Sequence, residues 1–370
     1  MSILIPLTML AIAVLIHFTF VNINIGLGVY SYVLRWKSLK NSEYEKPARK
    51  TFKFLIASEI VSGIWGTIIT VVLAGFWPTL LNIATTVLFI PLTISLLGIA
   101  IRIPSIAGFW YTWDRIGKSI HMFIGFLMIL GGFMIPAGFR YIFVLIDYPL
   151  GVTNLSPIQG NPYLALYNPL YPPLLLHTWI GALSIGFFAA ATGLGWSSKY
   201  DKSLIKYASI AAFMGALLII PQGIIGFWFW SSLSFKAQYL FNSMSSQFLP
   251  VDKNPVDVSW TFIIMVLAAL YLLTAGIIYC YRPDKTFIGY TLAPISILSL
   301  IMGEFTHDYG RIPYMVIMGN SGLKASLFVN NLLIISLGEI LLGLIPILAI
   351  LIIFIILLYL YLARGFLTVE

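Results

Sequence analysis

Long apolar runs recur along the whole chain, many of about 18 residues or more, which is the length a helix needs to cross a bilayer. A segment in lipid has no water to bond its backbone, so each run is expected to close its own N–H···O=C bonds as an α-helix. Of the 370 residues, 60% are hydrophobic and 9% charged, which leaves too little polar side chain to cover a soluble domain. The expected fold class is all-α: a single polytopic membrane domain of about nine transmembrane helices. The spans fall near 3–34, 54–77, 80–111, 119–145, 170–197, 204–231, 258–281, 287–306 and 328–363. Breaks coincide with polar or Pro-rich stretches such as Tyr44-Glu45-Lys46-Pro47 and Asn168-Pro169-Leu170-Tyr171-Pro172-Pro173. The first run is too long for a signal peptide and lacks a small-residue cleavage site, so it reads as a retained helix.

The basic residues set an expected orientation. Arg35, Lys37, Lys40, Lys46, Arg49, Lys50 and Lys53 follow the first span. Arg115, Lys118, Lys199, Lys202, Lys206, Arg282, Lys285 and Arg364 fall in the alternate connections on the same side. The other side takes only Arg140, Lys236, Lys253, Arg311 and Lys324, and Arg102 lies within a span. A three-to-one excess places the N-terminus outside and the C-terminus in the cytoplasm. It also accounts for the net charge of +8 without nucleic acid as a partner.

Polar groups inside such spans are costly and mark function. His177 sits in Leu174-Leu175-Leu176-His177-Thr178-Trp179, and Met265 in Ile263-Ile264-Met265-Val266. Both lie roughly seven residues into spans that run from outside to inside, so at ~1.5 Å per residue they share a depth about 10 Å below the outer surface. A His/Met pair at equal depth on parallel helices suits the two axial positions of one haem iron. The other reading is a hydrogen-bonded packing histidine and a gap-filling methionine. His17, mid-span before Asn22 and Asn24, is a second ligand candidate or a histidine bonded to a neighbouring helix. Glu59 and Arg102 suggest a proton path, with Glu339 in the last span; Arg102 is near enough to the cytoplasmic end to snorkel out to it. Glu304, His307 and Arg311 close the eighth span, where Arg311 either neutralises a haem propionate or pairs with an aspartate at a loop–helix junction. Phe227-Trp228-Phe229-Trp230 reads as an interfacial belt or the lining of a quinone site. The aromatic share of 15% suits such belts and a large flat cofactor. With Cys280 the only cysteine, disulfides, thiolate clusters and covalent c-type haem attachment are excluded. No phosphate-binding glycine loop, H-E-x-x-H zinc spacing or Ser-His-Asp set is present.

Five motifs, in order, resemble subunit I of cytochrome bd quinol oxidases. They are Ile16-His17-Phe18-Thr19-Phe20-Val21 with Gly26-Leu27-Gly28; Trp113-Asp114-Arg115-Ile116-Gly117-Lys118 with His121-Met122; Leu176-His177-Thr178; Ile264-Met265-Val266; and Tyr309-Gly310-Arg311-Ile312-Pro313-Tyr314. The resemblance implies that His177 and Met265 ligate a low-spin haem b and that His17 ligates a high-spin haem, b or d. It implies that Arg311, Trp113 and Arg115 belong to cofactor-binding regions. It further implies quinol as electron donor, oxygen as acceptor and the plasma membrane of a prokaryote. Expected partners are the quinone pool, lipid, a second membrane subunit (subunit II or another subunit-I-like chain) and small single-span subunits.

The chain departs from that family at several points. The paired acids of the third helix fall at Ile94 and Arg102. The haem-ligating glutamate falls at Ile301, with Glu304 one turn away and His307 two, so either is a substitute ligand. The external loop between helices six and seven shrinks to about 25 residues, Ser231 to Val256. These departures keep two alternatives open beside a complete oxidase subunit. One is a paralogue, non-catalytic or limited to electron transfer, that pairs with a fuller subunit I. The other is an ion-coupled transporter using Glu59, Arg102 and Glu339.

Overall fold

The computed structural model describes residues 4–155, 158–251 and 256–328, with isolated positions beyond. The ninth span expected over 328–363, and Glu339 within it, lie outside the described residues. Eleven helices are seen: α1 (Leu4–Ser38), α2 (Glu45–Phe76), α3 (Pro78–Val87), α4 (Phe89–Tyr111), α5 (Lys118–Asp147), α6 (Pro162–Ala165), α7 (Tyr171–Ser197), α8 (Ile205–Lys236), α9 (Gln238–Ser245), α10 (Ser259–Tyr281) and α11 (Thr286–Tyr309). Eight of them, α1, α2, α4, α5, α7, α8, α10 and α11, are long and apolar enough to cross a membrane. Successive spans alternate in direction, which gives the bundle a Trp113 end and an Arg311 end.

Two details differ from the sequence expectation. The third span does not begin at residue 80. Pro91 has no N–H for the carbonyl of Val87, so a helix running through it would lose a bond and clash. The chain breaks at Leu88 (φ −107°, ψ 24°) and restarts with Pro91 in the first turn of α4. The preceding α3 instead covers the Arg311 end, packing Leu80, Ile83 and Val87 against Val144 and Leu145. Two small antiparallel hairpins also lie at that end: β1 (Val152–Leu155) with β2 (Ile158–Gly160), and β3 (Tyr314–Met318) with β4 (Ser321–Lys324). The second turns at Gly319, whose φ of +67° favours a residue without Cβ.

Neighbouring spans pair along the chain, α1 with α2, α4 with α5, α7 with α8 and α10 with α11. The pairs assemble around α1 and α7, and α7 is the most enclosed span. Apolar side chains gain nothing by leaving lipid for protein, so helices associate in membranes through close packing and polar bonds. Close packing requires small residues where backbones meet. A Cβ on Gly26 of α1 would lie 2.6 Å from the Cα of Gly186 on α7, and one on Gly138 of α5 would lie 2.0 Å from the Pro91 carbonyl oxygen of α4. Substitution Gly26→Leu forces α1 and α7 apart, and its cost exceeds the ~1–3 kcal/mol of ordinary overpacking. We expect a markedly lower Tm in detergent for Gly26→Leu. Gly28→Ala, whose Cβ meets only Met128 Cε at 3.9 Å, should leave the Tm unchanged.

Candidate functional site

The three expected ligand side chains share one local arrangement: each lies against a glycine of the next helix. His177 of α7 faces Gly226 of α8, where a Cβ would come within 3.0 Å of its Cε1. Met265 of α10 faces Gly303 of α11, where a Cβ would come within 3.1 Å of its Sδ. His17 of α1 faces Gly66 of α2, where a Cβ would come within 2.8 Å of its Cε1. The helices carrying His177 and Met265 both pack on α8 and α11, so these four spans surround a common interior.

The hydrogen bonds of the two histidines differ. His17 Nδ1 lies 2.8 Å from the Ser62 carbonyl oxygen and so donates to it, which leaves Nε2 as the lone-pair nitrogen. That tautomer is the usual one for a metal-ligating histidine oriented by a backbone carbonyl. His177 Nε2 lies 2.9 Å from Nε2 of Gln222, while its Nδ1 and Oε1 of Gln222 are buried without partners. Gln222 carries no signal in the sequence beyond being a polar residue in an apolar run.

Arg102 does not snorkel. It is 3% exposed and bonds Glu59 through two parallel contacts of 2.9 Å. Two further donors go to the carbonyls of Met128 (3.2 Å) and Asn24 (3.3 Å). The guanidinium fits because residue 132 is glycine: a Cβ there would sit 2.3 Å from Nη1. Asn24 also accepts from Ser58 Oγ and donates to Ser62 Oγ at 3.1 Å. The network therefore runs from the Arg102–Glu59 pair to the residue whose carbonyl holds His17. Ile94 is 40% exposed on α4 and takes no part.

At the Arg311 end, His307 Nε2 lies 2.6 Å from Asp147 Oδ2, and Arg311 donates to Asp147 Oδ1 at 3.1 Å and to Asp308. Glu304 receives Arg140 at 3.4 Å, and the Arg140 guanidinium stacks over the rings of Phe18 and Phe143. Glu304, His307 and Asp308 bring their ligand atoms within 4.8 Å of one another. As placed, however, Glu304 and His307 are engaged by Arg140 and Asp147, and Arg311 by two carboxylates. Sequence reasoning missed Arg140 and Asp147. Arg140 counts in the sequence only as an outer-side charge at the end of the span near 119–145, and Asp147 carries no signal there; α5 carries both inside the bundle, and Asp147 is fully buried.

Trp113 belongs to the opposite end. It donates to Glu45 Oε1 at 2.6 Å and lies between the guanidinium groups of Arg35 (4.7 Å) and Arg49 (4.9 Å). Arg35 further binds Glu45 (2.6 Å), Asp114 (2.7 Å) and His121 (3.3 Å). Arg115 is exposed and outside this lattice. The motif that contains Trp113 thus ties α1, α2, α4 and α5 together, far along the bundle from Arg311.

The family model for cytochrome bd terminal oxidase subunit I matches residues 8–239. The chain belongs to that family. Its fold agrees: the bd oxidase structure from Geobacillus thermodenitrificans superposes with a TM-score of 0.82 at 14% identity, covering 99% of this chain and 98% of that one. A comparison with curated protein sequences finds no match. Family and spans make this chain a membrane-embedded bd-type oxidase subunit, of a family that binds haem. The residues present fit a haem. Two histidines and a methionine pack against glycines whose missing Cβ accommodates them, His17 presents a lone pair, and His177 has a buried nitrogen without a partner.

Removing one partner of the Arg102–Glu59 pair strands a charge in the membrane, at a cost of about 3–5 kcal/mol. Arg102→Leu should therefore lower the Tm strongly, and Glu59→Leu combined with Arg102→Leu should recover much of the loss. A double variant no more stable than Arg102→Leu alone contradicts the pairing.

Proposed function

We propose that this chain is the haem-bearing subunit of a bd-like terminal oxidase and passes electrons from quinol toward the reduction of oxygen to water. The observation that carries this reading is the shared setting of His177, Met265 and His17, each packed against a glycine whose missing Cβ accommodates it. His177 and Met265 would hold a low-spin haem b, and His17 a high-spin haem, b or d, with Glu304 or His307 as the substitute ligand. A bound haem supplies the one-electron redox step, and the axial side chains set its potential. The protein contributes a dry interior and the fixed orientation of His17 through the Ser62 carbonyl. The remaining expectations belong to the same proposal: N-terminus outside, a second membrane subunit or subunit-I-like partner, and Trp113, Arg115 and Arg311 near cofactors.

One observation favours a narrower role. A guanidinium does not release its proton in proteins. With Arg102 held between Glu59, Asn24 and Met128, the α4 position occupied by an acid in the family cannot relay protons. Glu59 lies in the same clamp, so a proton path through Glu59 and Arg102 is closed, which also counts against an ion-coupled transporter. The chain would then transfer electrons while a partner chain completes the oxygen chemistry. The test is a reduced-minus-oxidised spectrum of the purified protein with haem extraction. We expect a reduced b-type band that disappears in His177→Ala and in Met265→Ala. Three haems per chain support a complete catalytic subunit, and one supports the electron-transfer role. A protein without any b-type band would overturn the proposal.

A further inference from the structure

We infer that Gln222 is a positioning residue for His177, setting which ring nitrogen carries the proton and how strongly the other donates to a metal. The inference rests on His177 being a haem ligand, as proposed above. Gln222 stands on α8, one turn before Gly226, and reaches across to α7. Both residues of the pair lie where a neighbouring side chain has been deleted. Gly226 clears the imidazole, and a Cβ on Gly181 would come within 2.8 Å of Gln222 Nε2. Two helices thus give up a Cβ at the same point, and the space accommodates this carboxamide and this ring.

The polar atoms left over make the argument. Between them the two side chains form one hydrogen bond and bury two atoms that have none, His177 Nδ1 and Gln222 Oε1. A buried polar atom without a partner costs about 1–3 kcal/mol, so two orphans in one pair point to a ligand that changes the bonding. A metal on one imidazole nitrogen supplies that change. The other nitrogen must then carry the proton, and a carboxamide can accept it through its oxygen, because an amide side chain has both a donor and an acceptor end. His177 then has one nitrogen on the metal and one donating to Gln222, so both ring nitrogens are engaged, and the carboxamide nitrogen takes the one unpartnered position. A hydrogen bond of this kind raises ligand basicity and favours the oxidised metal. Gln222 would in this way hold the potential of the His177 haem down, and it would do for His177 what the Ser62 carbonyl does for His17.

The test is potentiometric titration of the low-spin signal in the purified protein, comparing wild type, Gln222→Leu and Gln222→Glu. Gln222→Leu, which lacks an acceptor, should raise the midpoint potential; Gln222→Glu, a stronger acceptor, should lower it, with haem content kept in both. Loss of the signal in Gln222→Leu but not in Gln222→Glu supports the inference equally, since the acceptor and not the side-chain volume then holds the ligand. Unchanged potentials in both variants overturn it, as does loss of the signal in both. His177→Ala, measured in parallel, separates the two levels of the argument. If its low-spin signal persists, the ligand assignment fails. If the signal vanishes while the Gln222 variants titrate like wild type, only the role of Gln222 fails.

Discussion

Arg102 constrains one half of the bundle more than any other residue. Its charge cannot be shed, and lipid cannot solvate it, so every direction its donors take must meet an acceptor. Those acceptors are Glu59 on α2, the Asn24 carbonyl on α1 and the Met128 carbonyl on α5. Four spans are thereby held in one register along their lengths. Gly131 and Gly132 of α5 make room for the side chain and its guanidinium. The same register places Ser62 and Gly66 opposite His17. The geometry at a candidate ligand is in this sense a consequence of how an ion pair is housed one turn along the adjacent helix.

The other half of the bundle is held differently. Among the described residues, the polar contacts that join α7, α8, α10 and α11 to one another include short neutral ones: Ser184 to the Gly215 carbonyl, Thr192 to the Gly289 carbonyl, Thr261 to Thr306. Such bonds cost little in low dielectric, and the fixed charge nearest Met265 along α11 is Glu304, next in sequence to Gly303 and paired with Arg140 of α5. A haem held there would sense its axial ligands, their immediate partners and the Arg140–Glu304 pair. Gln222 is the polar side chain in contact with that histidine.

The two ends of the bundle divide the remaining charge. At the Trp113 end, Arg35, Glu45, Arg49 and Asp114 enclose one indole and lock four helix ends. At the Arg311 end, Asp147 receives both His307 and Arg311, joining α5 to the end of α11. Motifs from opposite ends of the chain thus serve the same purpose, closing the bundle at each face. The motif around Trp113 joins four helix ends through one indole and its charged partners, whereas the Tyr309–Tyr314 motif lies beside a cluster of acids, imidazole and guanidinium.

The sequence by itself called for about nine spans, of which eight fall among the described residues, gave their alternation, and marked His17 and His177 as residues costly in lipid. Length, apolarity and the cost of burying a polar side chain are local properties, readable without neighbours. It did not reveal the break at Leu88 as a change of role, although Pro91 was there to signal it, because only the packing of α3 on the Arg311 end shows what the detached turn covers. Arg102 could be read as snorkelling, since its position along the span was known and its partners were not. The burial of Arg140 and Asp147 is hidden for the same reason: it is decided by helices distant in the chain. Tertiary structure alone chose the partners, Glu59 for Arg102, Asp147 for His307 and Gln222 for His177, because hydrogen bonds between spans depend on which faces meet, and many different pairings of faces are compatible with one pattern of apolar runs.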